Sequence, residues 1–425
     1  MNPQLVDVVV IGAGHAGLSV SYYLKTHRLN HVVLERGRVG ESWRSQRWDN
    51  FMINSPNKYN LLPGLGESNP DGFGSAHALA ESMSEYVRVH QLPVIEHAHV
   101  LSVEQQPDEE WFIVTIARNG QHDHYRSRQV IVASGSMNEQ KIPAFAGRLS
   151  PDVRQYHVSD YRRPDQLPDG GVLVVGGGQS GCQVAEDLAE AGRSVYLATS
   201  PVARLPRRYR GKDVMEWMMQ MNFFDMRAED VADPVMLHLR TPLLTGRDGG
   251  QRTLSLQSLA RKGVTILGKM TEVDGKIASF APNASMHVRF ADEFSRQIKE
   301  MIDGYIAASN LSAPAPQYDP DDQPDFNADC ASSLTELNLD EQHITSIIWA
   351  TGFGADFSYI RLPVFDGSGN PVHRNGIAAV NGVYFMGLHW MRNRKSTILY
   401  GIKDDARFIA DAVLTAHRQT LSATV

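Results

Sequence analysis

Val8-Val9-Val10-Ile11-Gly12-Ala13-Gly14-His15-Ala16-Gly17 decides the reading of this chain. A short apolar run meets a G-x-G-x-x-G turn and then a segment with apolar residues at helical spacing, Leu18, Val20, Tyr22, Tyr23 and Leu24. A second short strand is predicted at 31–34, ending at Glu35. This is the strand–turn–helix–strand opening of a dinucleotide-binding fold. Gly12 permits the tight turn, Gly14 lets the backbone approach a pyrophosphate, and Gly17 lets helix and strand pack closely. The phosphates then meet free N–H groups and the positive end of the helix dipole. A carboxylate at Glu35 accepts hydrogen bonds from ribose hydroxyls, as in an FAD adenosine site.

The pattern occurs twice. Val172-Leu173-Val174-Val175-Gly176-Gly177-Gly178-Gln179-Ser180-Gly181 repeats it, with Val184, Ala185, Leu188 and Ala189 on the following helix and a strand at 195–198. This strand ends Ala198-Thr199-Ser200, without an acidic residue. A carboxylate there repels a 2′-phosphate, and hydroxyls do not. Arg204, Arg207, Arg208, Arg210 and Lys212 follow closely, and arginine makes bidentate bonds to phosphate. The second site is therefore expected to take NADPH, through Ser200 and Arg204, with Arg207 and Arg208 behind.

Two further buried-strand runs close on small residues, Val130-Ile131-Val132-Ala133-Ser134-Gly135 and Ile347-Ile348-Trp349-Ala350-Thr351-Gly352. The expected fold class is α/β with two Rossmann-like dinucleotide-binding domains, the NADPH domain inserted into a discontinuous FAD domain. The FAD domain is expected at 1–165 and 345–425, and the NADPH domain at 166–344. The Pro- and Asp-rich stretch 312–330 reads as an exposed loop.

Composition narrows the function. The chain has 425 residues, enough for two or three domains, and a net charge of -7. No broad attraction to nucleic acid or anionic lipid is expected. Its two cysteines, Cys182 and Cys330, form no C-x-x-C pattern, which argues against a dithiol-using flavoprotein reductase and against a structural zinc site. No metal site is expected. No targeting signal precedes the first strand and no apolar stretch approaches bilayer length, so a soluble, cytoplasmic protein is expected, monomeric or homodimeric.

Along nearly its whole length the chain resembles the class B flavin monooxygenases, and more closely a bacterial CzcO-like branch of flavoproteins. Gly40-Glu41-Ser42-Trp43 is similar to the family's G-G-x-W loop, with its second glycine missing; Arg44, Arg47 and Trp48 follow in the same region. Asn54-Ser55-Pro56-Asn57, with Pro63 beyond it, resembles the segment whose Asn contacts flavin and nicotinamide. Phe145-Ala146-Gly147 and His157-Val158-Ser159-Asp160-Tyr161 resemble the two halves of the family fingerprint at a longer spacing. The fingerprint's closing aromatic, Tyr161, leans away from the Baeyer–Villiger type, and His157 reads as a linker residue and not a general base. Ala350-Thr351-Gly352-Phe353 with Asp356 resembles the motif returning the chain to the FAD domain. Gly382 to His389 resembles the strand and turn at the flavin, and the basic stretch 389–395 replaces the usual aromatic-rich one.

The resemblance implies FAD and NADPH as cofactors. The FAD-facing set it implies is Gly12, Gly14, Gly17, Glu35, Arg36, Ser42, Trp43, Trp48, Val100, Ser134, Gly387 and Leu399. The NADPH-facing set is Gly176, Gly178, Gln179, Ser180, Ser200, Arg204, Arg207, Arg208, Ala350, Thr351 and Gly352. Asn54 is the one residue given a catalytic role. The implied activity is oxygenation of a small organic substrate with O2 through a C4a-(hydro)peroxyflavin, at nitrogen or sulfur. Baeyer–Villiger oxygenation of a carbonyl stays open, as does an NADPH oxidase or flavin reductase using the same two sites. A third alternative is a flavoprotein acting as a binding or regulatory module.

Overall fold

The computed structural model describes residues 3–67, 69–106, 110–232, 237, 241–245 and 252–423. Ten strands in two sheets carry the architecture. In chain order they are β1 (Val8–Ile11), β2 (His31–Leu34), β3 (Val94–Ile95), β4 (Gln129–Val132), β5 (Arg154–His157), β6 (Gly171–Val175), β7 (Val195–Ala198), β8 (Thr265–Leu267), β9 (Ile344–Trp349) and β10 (Val383–Phe385).

The first sheet runs β10-β4-β1-β2-β3, all parallel, and the short antiparallel strands Ile377–Ala378 and His373–Arg374 extend it beyond β10. The second runs β5-β9-β6-β7-β8, all parallel. Both β1 and β6 are buried along their whole length, which explains their unbroken apolar sequence: helices cover both faces of such sheets. The order reverses at β1 in the first sheet and at β6 in the second, and each glycine turn leaves that switch strand, where ligands bind in open α/β sheets.

Helix α1 (His15–Thr26) follows the first turn and packs along α5 (Leu399–Ala423); α2 (Glu41–Ser45) packs against the helix Ala76–His90. Helix α3 (Gln179–Glu190) follows the second turn, and α4 (Ala284–Ala308) covers the second unit. A four-stranded sheet completes the first unit: His99–Gln105, Phe112–Arg118 and Gln121–Ser127 pair antiparallel, and Gln4–Leu5 adds a parallel edge strand. One apolar core surrounds the first sheet, and two clusters line the faces of the second.

Two expectations shift. β5 lies before residue 165 but pairs with β9, so the chain enters the second sheet earlier than the expected boundary. Glycine-free β5 carries no motif that marks it as part of a dinucleotide unit. The stretch 312–330 is not wholly exposed: Pro320–Asp322 forms a single turn and Asp322 is buried against Arg204 and Lys299. The Asp-rich composition there reflects ion pairing as well as solvation. Among the described residues no helix is long and apolar enough to cross a membrane.

Candidate active site

The first glycine turn is built as its spacing requires. Gly12 has φ +104°, and a Cβ on it would press against the carbonyl oxygen of Ala133 at 2.5 Å. A Cβ on Gly17 would overlap the Gly12 carbonyl oxygen. Gly14, which begins α1, has nothing within 4 Å of such an atom, so open space faces the helix N-terminus. No side chain caps α1, and its first-turn N–H groups face that space without intrahelical acceptors. Glu35 accepts from the Ala13 N–H at 2.7 Å and the Gly37 N–H at 2.9 Å. Its carboxylate ties β2 to the turn and retains lone pairs for a ribose.

A cleft of about 320 Å³ opens here. Of the expected FAD set, Gly12, Gly14, Glu35, Arg36, Ser42, Trp43, Val100, Ser134 and Gly387 line it. Gly17 lies beneath it as packing. Trp48 does not reach it: this ring is buried with Val158 and Tyr161 and meets Phe51 edge-on at 4.9 Å. Leu399 packs on the first core, and Thr397 lines the cleft instead.

The cleft also contains residues outside the expected FAD-facing set. Tyr359 donates to Ser134 Oγ at 2.7 Å, and burial pushes its pKa up to about 12, so it is a protonated donor throughout the physiological range. His15 is buried, its Nε2 lies 3.1 Å from the Asn60 carbonyl, and Nδ1 has no partner. A carbonyl only accepts, so Nε2 carries the proton and Nδ1 is left as an acceptor. Burial holds its pKa down at about 4, and the ring is neutral. Asn138, Phe353 and Asp356 close the far side, with Asn138 held to the Asp356 main chain.

The second turn repeats the first. Gly176 has φ +133° and abuts the Ala350 carbonyl, and a Cβ on Gly181 would overlap the Gly176 carbonyl oxygen. Gly178 again has open space and begins α3 without a side-chain cap. Gln179 is engaged through both amide atoms, donating to Thr245 O at 2.7 Å and accepting from Leu244 N at 2.8 Å. Ser180 lies in the first turn of α3. Thr351 donates to the Lys141 carbonyl, and Gly352 O meets His157 Nε2 at 3.1 Å. His157 also meets Ser159 and the Phe353 ring, and is a structural linker, as its place in the fingerprint implied.

The arginines after Ser200 are placed differently from the sequence expectation. Arg204 is 1% exposed and bound to Asp292, Ser295 and Asp322. Arg207 is 0% exposed, gripped by Asp213, and donates to the Asn54 carbonyl at 2.7 Å. Their guanidinium groups are committed inside the protein and are not free to receive a 2′-phosphate. Arg208 is exposed and bonds the Gly211 carbonyl. Counter-charges distant in sequence, Asp292 and Asp322, made the burial illegible from the cluster itself. Asn54 has a buried Oδ1 without a partner, and its main chain is held by Arg207. In the basic stretch after His389, Arg392 pairs with Asp405 and Lys395 with Asp225 and Asp404, while Arg394 lies over the Phe223 and Trp390 rings.

Residues 9–225, about half of the chain, match the model of the pyridine nucleotide-disulphide oxidoreductase family. An uncharacterized CzcO-like oxidoreductase of Geobacillus kaustophilus is 29% identical over 97% of this chain and 99% of its own length. A protein of Arabidopsis thaliana named "Probable indole-3-pyruvate monooxygenase YUCCA10" is 28% identical over 50% of this chain and 56% of its own length. The flavin-containing monooxygenase from Stenotrophomonas maltophilia superposes with a TM-score of 0.63 at 20% identity, covering 97% of this chain and 99% of that one. The doubled glycine turn on paired parallel sheets and the family match agree: the chain belongs to the pyridine nucleotide-disulphide oxidoreductase family and shares the fold of the flavin-containing monooxygenases.

Proposed function

We propose that this chain is an FAD-dependent monooxygenase that takes electrons from NADPH, and one oxygen atom from O2, to oxygenate a small organic substrate at nitrogen or sulfur. The domain assignment proposed with it is an FAD unit around β1 and a nicotinamide-dinucleotide unit around β6. The observation that carries the reading is the cleft itself. It joins the first glycine turn, Glu35, Trp43, Ser134 and Gly387 in one space, while neither cysteine lines it. Cys182 is buried in the second unit and Cys330 lies elsewhere in it, so no dithiol stands at the cleft to pass electrons to a disulphide.

Bound FAD supplies two-electron redox chemistry and reaction with oxygen. The chain binds, orients and shields. Turn N–H groups and the α1 dipole would hold the pyrophosphate of bound FAD, and Glu35 and Arg36 would be its ribose-side partners. The Tyr359 hydroxyl fixes Ser134 at the end of β4. Trp43, Phe353 and Gly387 wall the cleft and would shield a bound flavin from water. Asn54 offers an unfilled Oδ1 on a loop pinned by Arg207. The resemblance to indole-3-pyruvate and flavin-containing monooxygenases supports this reading and leaves the substrate to experiment.

The test is stoichiometry. Purified enzyme is given NADPH, O2 and a panel of amines and thioethers, and product and hydrogen peroxide are both counted. A substrate that suppresses peroxide and yields an equal amount of oxygenated product supports the monooxygenase. Quantitative peroxide with every substrate supports the oxidase, and a colourless protein that takes up no flavin overturns both.

A further inference from the structure

Arg47 is a half-buried cation with no carboxylate partner among the described residues. It lines the cleft. Its guanidinium lies 5.0 Å from the centre of the Trp43 ring and 5.5 Å from that of Phe51, and makes one hydrogen bond, to the Gln46 carbonyl at 2.8 Å. A guanidinium has five N–H donors, so most of the fork is unused. Among the described residues no carboxylate pairs with it. Burial pushes its pKa down to about 10, and the nearby Arg162 cation adds to that shift.

Arg162 does not relieve the imbalance. It is bound to the main-chain carbonyls of Ser159, Tyr161 and Ser45, and so fastens the second unit's linker to α2 of the first. Two cations thus share one partly dry junction between the units, and carbonyl dipoles are their polar partners. Arg204 and Arg207, which are fully buried where Arg47 is half-buried, each have a carboxylate. A charge taken from water without a partner is strongly unfavourable, and contact with aromatic faces offsets only part of that cost. A fold that holds Arg47 there has left its anion to be supplied from outside.

We propose that Arg47 is an anion seat whose ligand is a phosphate of a dinucleotide bound at the cleft. The inference rests on the cofactor reading above. The planar fork suits phosphate oxygens, and the cleft already turns N–H groups toward a pyrophosphate at Gly14. The phosphate has two sources: FAD along the first turn, or the nicotinamide dinucleotide reaching across the junction that Arg162 fastens.

The test uses the holoenzyme with Arg47→Met, which keeps bulk and removes charge, and Arg47→Lys, which keeps charge and loses the fork. FAD release on dilution is followed by flavin fluorescence, and NADP⁺ binding by perturbation of the flavin absorbance. A rise of tenfold or more in the FAD dissociation constant of Arg47→Met, partly recovered in Arg47→Lys, places the seat on FAD. The same rise for NADP⁺ with FAD retained places it on the nicotinamide dinucleotide. If both constants stay within twofold of wild type in folded variants, the seat is overturned. Wild-type protein that binds neither dinucleotide overturns the cofactor reading instead. Should Arg47→Met not fold, Arg47→Gln carries the same comparison.

Discussion

The guanidinium of Arg207, fixed by Asp213, donates to the main-chain carbonyl of Asn54 at 2.7 Å across the boundary between the two units. Its ring neighbour is Phe73, 5.1 Å away, also in the first unit. An arginine that its sequence neighbourhood marked for a phosphate is thereby a clamp on the loop of the Asn assigned to the flavin.

Removing the clamp is expected to cost stability and coupling, not nucleotide preference. Arg207→Ala breaks a buried ion pair and should destabilise the protein by about 3 kcal/mol or more. Arg207→Lys should fold better and raise the share of NADPH lost to peroxide by loosening Asn54. The ratio of NADPH to NADH efficiency should stay within threefold of wild type in Arg204→Lys and Arg207→Lys. A collapse of that ratio in a folded variant would return these arginines to the 2′-phosphate.

The two glycines on either side of the α1 start should behave oppositely. Gly14→Ala adds a methyl to open space at a residue with ordinary φ, so the protein should fold with nearly unchanged Tm while FAD affinity falls about tenfold or more. Gly17→Ala drives a Cβ into the Gly12 carbonyl and should abolish the turn, leaving little soluble flavoprotein. Equal FAD affinity for Gly14→Ala and wild type, by fluorescence titration, would show that no pyrophosphate lies there.

His15 should make the protein less stable in mild acid. Its folded pKa, about 4, lies below the ordinary value of 6.5 because burial penalises the charged ring. Between those two values the unfolded chain binds the extra proton, so stability falls as pH drops from about 6.5 and the loss is complete near pH 4, by up to about 3 kcal/mol. Other buried histidines, His31 and His157 among them, share the direction. The measurement is therefore a difference: urea unfolding of wild type and His15→Gln between pH 7 and 4.5. Parallel pH dependences in the two proteins would contradict a neutral buried ring.

Thiols should be dispensable for electron transfer. Cys182→Ala with Cys330→Ser should retain NADPH-driven bleaching of the flavin under anaerobic conditions within about threefold of wild type, with a stability cost of about 1 kcal/mol from the Cys182 site. Stopped-flow absorbance gives the rate, and a fall beyond tenfold in a folded double variant would put a cysteine in the electron path.

Local sequence determined the two turns. The close contacts of Gly17 with the Gly12 carbonyl and of Gly181 with the Gly176 carbonyl lie within a few positions of one another, and glycine spacing after an apolar run expresses them directly. Tertiary structure alone decided what the charged residues do. Arg204 became structural because Asp292 and Asp322 arrive from α4 and from the Pro-rich stretch, Arg47 was set beside the Arg162 cation, and Tyr359 and His15 entered the cleft through Ser134 and Asn60. A charge's role is set by the partner and the dielectric around it, and both are assembled only when distant segments of the chain pack together.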